Sequence, residues 1–190
     1  VIICYIHPAA FKSAMDAARQ ISLALNVPPQ RSFQRQMEGL ERLMADAYTA
    51  RRNVIILLDD AQLMDPDALE VIHRLYNFDY DSKVVQVIAF GQLEMAAVFE
   101  TNKAVNARVF VRLALPPLTL SSSLQMVLFR LRVAGRNSAL IDDDAFELLY
   151  EISQGVPREM IRLCALAIDS LLQSDATTIN IDIAREVTKP

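Results

Sequence analysis

Glycine is scarce in this chain. Four occur in 190 residues, Gly39, Gly91, Gly135 and Gly155, and the closest two stand twenty positions apart. A loop that cradles phosphates needs clustered glycines, so that its backbone N–H groups can approach the anion. Neither G-x-G-x-x-G nor G-x-x-x-x-G-K-S/T can be drawn on the sequence, which excludes a self-contained nucleotide loop of either kind. Cysteine and histidine are as rare: Cys4, Cys164, His7 and His73, with no pair at metal-ligand spacing. That argues against a structural zinc site and against a disulfide framework, and the cysteine usage fits a reducing compartment. Long apolar runs are missing too. The longest, Val54 to Leu58 and Val84 to Phe90, fall far short of the ~20 residues that span a bilayer. No basic region precedes an apolar stretch at the start, so no signal peptide is expected from these residues. The formal net charge is −4, which argues against a broad basic footprint for nucleic acid and leaves room only for a local patch.

What the sequence does contain is a succession of apolar strands and amphipathic helices. Val1 to Ile6 is a β-branched apolar run and reads as a buried parallel strand. A natural terminus seldom starts inside a core strand, so something is expected ahead of Val1; the plainer alternative is a short edge strand at a processed terminus. A helix follows with the stripe Phe11, Met15, Ala18, Ile21 and Leu25, and a second runs from about Ser32 to Arg51 over Phe33, Met37, Leu40, Met44 and Ala47. Next come the strand Val54 to Leu58, a helix that Asp65 caps with Pro66 at its first position, a polar turn from Asp79 to Lys83, and the strand Val84 to Phe90. A short helix over Leu93 to Glu100 and a strand over Arg108 to Leu115 close this half.

The order β-α-α-β-α-β-α-β with continuous apolar strands predicts a parallel sheet covered on both faces. After Pro116-Pro117 strands nearly vanish. Helices are expected at about 120–135, 143–153, 157–173 and 182–188, with a short extended piece over Thr177 to Ile181. The reading is an α/β core over 1–117 and a small helical bundle over 118–190.

The segment most informative about chemistry is VIILLDDAQ, positions 54 to 62. A buried parallel strand delivers two adjacent carboxylates at its carboxyl end, where ligands bind in doubly wound sheets. Adjacent strand residues point to opposite sides, so Asp59 and Asp60 are not expected to pair as a dyad. They suit two separate tasks, one holding Mg²⁺ through water and the other orienting an attacking water, the Walker B arrangement of phosphoryl-transfer proteins. A solvated strand end that begins a turn would carry the same residues.

Four further segments stand in order with it: VVQVIAFGQLEM, NARVFVRLALPPL, FRLRVAG and SQGVPREMIRLCALAI. Together the five resemble one branch of the AAA+ ATPases, the secretion-type ATPases (ExeA or GspA, general secretion pathway protein A) and the transposition regulators TniB and TnsC. The resemblance covers positions 1 to 188. It implies a P-loop NTPase-like (AAA+) parallel sheet with flanking helices, followed by a helical lid, with Mg·ATP bound between core and lid. It assigns Asp59 to Mg²⁺ and Asp60 to the place of the catalytic base. The family usually has Glu at that place; Asp is one methylene shorter, and a misplacement of about 1 Å can cost roughly a hundredfold in rate. Gln92 matches the sensor-1 region, with Leu93 where the family often has Pro. Arg108 resembles the arginine finger that reaches a neighbouring subunit, although a strand-flanking surface arginine would look the same. Arg158, in Gly155-Val156-Pro157-Arg158, matches sensor 2, although the same residues make a turn before a helix. Arg51-Arg52 and the cluster Arg130, Arg132 and Arg136 read as solvated faces first and as DNA or partner contacts second.

The resemblance also shows a gap. In this family the first strand, the P-loop and the first helix precede the segment that Val1 begins, and that strand stands near the centre of the sheet. A chain without it leaves two strands unpaired, which is costly. Three resolutions are open: a longer ordered protein, a rearranged sheet, or a partner that fills the gap. The expectation is an ATPase module that drives assembly or remodelling, incomplete for ATP in these residues alone. The alternatives are a DNA-bound transposition regulator and a non-catalytic assembly scaffold. The implied cofactors are ATP and Mg²⁺. The implied partners are further copies in a homo-oligomer, proteins of a secretion or transposition assembly and, on the transposition branch, DNA. The implied location is the cytoplasm, at the inner face of a bacterial membrane through segments outside this chain.

Overall fold

The computed structural model describes residues 1–78, 83–136 and 140–189. The polar turn expected over Asp79 to Lys83 lies, for its first four positions, outside them. The chain divides into two compact units, Val1–Arg112 and Leu113–Pro190.

The first unit holds a three-stranded parallel sheet of β1 (Ile2–Ile6), β2 (Val54–Leu58) and β3 (Val85–Ala89), in the spatial order β1-β2-β3. The order is monotonic, and that decides where the helices go. A crossover between parallel strands is right-handed, so successive crossovers moving the same way across a sheet stack on the same face. The connections hold α1 (Ala14–Ala24) and α2 (Phe33–Thr49) between β1 and β2, and α3 (Ala68–Tyr76) between β2 and β3. The inward residues of the strands, Cys4, Ile6, Val54, Ile56, Leu58 and Val85, are buried in one core with Ile21, Met37, Leu40, Met44, Leu69 and Leu75. The opposite face carries Ile3, Tyr5 and Ile88, which are 62%, 57% and 45% exposed. The sheet is therefore covered on one face among the described residues, not on both. β1 is correspondingly a half-buried edge strand rather than a fully buried one.

Local chemistry explains the helix boundaries. Ser13 and Ser32 accept the Asp16 and Arg35 amides and so cap α1 and α2. Phe11, expected on the first helical stripe, is buried ahead of the helix instead. The Asp65 carboxylate accepts the Asp67 amide at 2.9 Å and makes a turn, so α3 begins two positions beyond Pro66. After β3 come α4 (Met95–Glu100) and α5 (Lys103–Asn106). The strand expected over Arg108 to Leu115 does not form: Arg108 ends a turn and the residues after it join no ladder. A strand persists only where a neighbour takes its N–H and C=O groups, and the far edge of β3 likewise has no neighbour among the described residues. Phe110, Leu113 and Leu115 are almost fully exposed as a result.

The second unit packs α6 (Leu120–Val133), α7 (Asp143–Ser153), α8 (Pro157–Leu172) and α9 (Ile181–Val187) around Val127, Phe146, Leu149, Met160, Leu163 and Ile183. The extended piece near Ile179 forms a parallel bridge with Ile141. Cys164 is buried on α8 and Cys4 in β1, and burial pushes each thiol up to about 11. No helix among the described residues is long and apolar enough to cross a membrane.

A tight turn sets the start of α8. Gln154 and Gly155 both adopt left-handed backbone, φ 52° and 71°. The Gly155 carbonyl accepts the Leu118 amide at 2.8 Å, and the Tyr150 hydroxyl donates to the Leu118 carbonyl at 3.2 Å. A Cβ at Gly155 would stand 2.1 Å from the Leu118 oxygen. Gly155→Ala is expected to destabilise the helical unit by about 2–4 kcal/mol, from the left-handed φ and the clash together. Urea unfolding followed by circular dichroism checks this; an unchanged midpoint would show that the turn relaxes freely.

Candidate functional site

The parallel register places the chemistry. Ile6 pairs with Leu58 and Leu58 with Ala89, so the next residues along each strand, His7, Asp59 and Phe90, emerge side by side at the carboxyl end of the sheet. Backbone bonds continue past the strand ends. Asp59 N–H donates to the Ile6 carbonyl at 2.9 Å, Ala9 N–H to the Asp59 carbonyl at 2.7 Å, and Ala61 N–H to the Phe90 carbonyl at 2.9 Å. Asp60, between these ties, takes a left-handed conformation with φ 54°. Non-glycine residues rarely adopt it, and Asp tolerates it better than most.

That turn changes the expected side-chain directions. Asp59 and Asp60 lie just beyond β2, and their carboxylates converge: His7 Nδ1 is 3.5 Å from an oxygen of each. The period-2 argument for opposite sides holds only within a strand, and Asp60 has left it. Tyr5, two positions before His7 on the exposed face of β1, donates its hydroxyl to Asp59 Oδ2 at 3.0 Å. Gln62 Nε2 donates to Asp60 Oδ1 at 3.1 Å, and the Gln92 backbone N–H donates to Gln62 Oε1 at 3.2 Å. The Asp59 and Asp60 side chains remain 39% and 38% exposed, so solutes can reach them.

The donor set fits a hard cation held in part. Two carboxylates offer oxygen ligands of the kind Mg²⁺ takes one or two at a time, the rest coming from water and phosphate. No group of three or more His, Cys, Asp or Glu among the described residues could enclose a metal by itself. Gln92 joins the cluster through its backbone, while its side chain is exposed. Arg108 does not join it. Its guanidinium lies 5.9 Å from the centre of the Tyr76 ring. Tyr76 ends α3, and its carbonyl accepts from Lys83, just ahead of β3. Arg108 thus stands toward the amino ends of the strands, opposite the carboxylates. Arg158 is exposed in the first turn of α8, in the second unit, and Arg162 one turn on is paired with Glu159 at 2.8 Å.

Tyr5 and Gln62 were not legible as site residues, and His7 only as the residue after a strand. The alternation of β1 puts Tyr5 and His7 on one side, but only the parallel register sets them beside Asp59. The hydrogen bond to the Asp59 carboxylate raises the Tyr5 phenol above its ordinary value, and the negative charges of Asp59 and Asp60 add to the shift. Removing the Asp59 charge must therefore lower it. Asp59→Asn is expected to return the Tyr5 titration toward about 10. Titration of the Tyr5 ring by NMR checks this, and an unchanged midpoint would contradict the contact.

An AAA-domain family model matches residues 1–99, just over half of the chain. General secretion pathway protein A of Aeromonas hydrophila is 30% identical over 131 residues, which cover 67% of this chain and 24% of that protein. Solved structures that share the fold include the following two. Cdc6p from Pyrobaculum aerophilum has a TM-score of 0.73 at 18% identity, over 98% of this chain and 52% of that one. The ORC2 protein of Aeropyrum pernix, solved as ADPNP and ADP complexes, has a TM-score of 0.63 at 13% identity, over 97% of this chain and 51% of that one. The chain spans about a quarter of the secretion protein and half of each structural neighbour. Its two converging carboxylates end a strand of a P-loop NTPase-like sheet, and the chain belongs to the AAA domain family.

Proposed function

We propose that this chain is the body of an AAA+ ATPase of the secretion type, in which Asp59 and Asp60 form one side of a Mg·ATP site and a strand–P-loop–helix unit outside these residues forms the other. The observation that carries the reading is the position of the carboxylates. They stand at the carboxyl end of a parallel sheet, one strand in from the open edge of β3. In open α/β sheets ligands bind outside the carboxyl ends, where the strand order reverses. A strand added at the β3 edge would create that reversal beside Asp59 and Asp60. Its crossover would run back across the sheet and lay its helix on the bare face that carries Ile3, Tyr5 and Ile88.

In this reading Asp59 holds Mg²⁺ through water, and Asp60 orients the attacking water and accepts its proton. When bound, Mg²⁺ neutralises charge on the phosphates. Tyr5 and His7 keep the two carboxylates from turning away from the crevice. Gln92 belongs to the turn that lines it. Arg108 stands at the other end of the unit, which suits action on a neighbouring copy in a homo-oligomer and not on its own site. Arg158 senses the γ-phosphate from the start of α8, an assignment that rests on the family resemblance. Hydrolysis would drive assembly or remodelling of protein partners.

Calorimetry with Mg·ATP tests the proposal on this chain and on the chain extended at its amino end by a strand–P-loop–helix unit. Binding is expected for the extended chain alone, with Asp59→Ala weakening it by about tenfold or more. Absence of binding in both would overturn the ATPase reading and favour a scaffold. Binding by the short chain alone would overturn the assigned division of the site.

A further inference from the structure

Gln62 has no role in the reading above, yet both ends of its side-chain amide are used. Nε2 donates to Asp60 Oδ1 at 3.1 Å, and Oε1 accepts the Gln92 backbone N–H at 3.2 Å. The partners fix the orientation: an ionised carboxylate only accepts and a backbone N–H only donates, so a flipped amide would lose both bonds. A Cβ at Gly91 would stand 2.6 Å from Gln62 Oε1, 3.0 Å from Met95 Sδ and 3.2 Å from Met95 Cβ, and Gly91 is not at positive φ, so its smallness serves the approach of the amide and of Met95 and not a turn. The backbone bond from Ala61 N–H to the Phe90 carbonyl, 2.9 Å, holds the two turns against each other. Asp60 itself has left-handed backbone, so its carboxylate direction is not set by a strand; His7 faces its Oδ2 at 3.5 Å and Gln62 binds its Oδ1 at 3.1 Å.

We propose that Gln62 is a positioning residue: its amide couples the Asp60 carboxylate to the backbone of the turn after β3, so that the direction of Asp60 follows the position of Gln92. The site thereby gains a link between the turn lining the crevice and the carboxylate that handles the attacking water. A displacement of Gln92 is passed to Asp60 through one rigid planar group. The catalytic consequence rests on the ATPase reading; the link itself does not.

The test has two parts. On the 190-residue chain, NMR follows exchange and chemical shift of the Gln92 amide. Gln62→Ala is expected to speed its exchange, and Asp60→Ala to shift it, since the Gln62 amide bonds to the Asp60 carboxylate and to the Gln92 N–H. Gly91→Ala, whose Cβ would displace the amide oxygen, should likewise speed exchange at Gln92. In the P-loop-extended chain, Gln62→Glu keeps the acceptor for Gln92 but loses the donor to Asp60 and places a like charge against it. It should leave the Gln92 amide protected while lowering kcat about tenfold or more, with KM for ATP little changed. A Gln92 amide indifferent to Gln62→Ala and Asp60→Ala would overturn the link. Unchanged kcat in Gln62→Glu would overturn the positioning role. If the unaltered extended chain hydrolyses no ATP, the ATPase reading fails, and the Gln92 amide alone decides the link.

Discussion

The ladder between β1, β2 and β3 governs the rest of this structure. It is in register from Ile2, Val54 and Val85 to Ile6, Leu58 and Ala89 and runs on through Asp59 and Phe90. Each of the three strands is a five-residue apolar piece that could not hold a side chain in place alone. Paired in parallel, they bring three chain segments to one end within hydrogen-bonding distance. From that single arrangement come the convergence of Asp59 and Asp60 on His7, the hydrogen bond from Tyr5, and the contact of Gln62 with the backbone of Gln92. Side chains that are distant in sequence become one electrostatic unit without any buried charge.

The same ladder explains what is left open. Right-handed crossovers across a monotonic strand order place their helices on one face. Among the described residues the sheet therefore has one bare face, and the outer edge of β3 is open as well. The carboxylates are adjacent to this open side. An element that completed the sheet there would bury apolar surface and line the crevice at once, so completion of the fold and completion of the site are the same event in the proposed function.

Much of the fold was legible in the sequence because its signals are local. Continuous β-branched runs gave β1, β2 and β3, and α7 and α8 begin where their helices were expected, at Asp143 and Pro157. The strand expected over Arg108 to Leu115 failed for the opposite reason. Alternation is written in those residues, but a ladder is made by a neighbour, and alternation cannot report whether one exists. Coverage of both faces failed likewise, since strand order decides it. At the site, Asp59 and Asp60 stood out as a polar pair closing an apolar run. Tyr5 and Gln62 did not, because parallel strands join positions far apart in sequence, 54 residues for Tyr5 and Asp59 and 30 for Gln62 and Gln92, and leave no local trace. The expected divergence of the two aspartates was overturned by one backbone angle, the positive φ of Asp60.

In the proposed function the nucleotide's metal sits against the carboxyl end of this sheet. Paramagnetic broadening of backbone amides by Mn²⁺·ATP, added to the chain extended by a strand–P-loop–helix unit, tests it most directly. Broadening falls steeply with distance from the metal. The amides of Asp59, Asp60, Gln62 and Gln92 are expected to disappear first while those of Ile2, Val54 and Val85, at the other end of the strands, persist. Broadening centred at the amino ends of the strands, or spread evenly over the sheet, would contradict it.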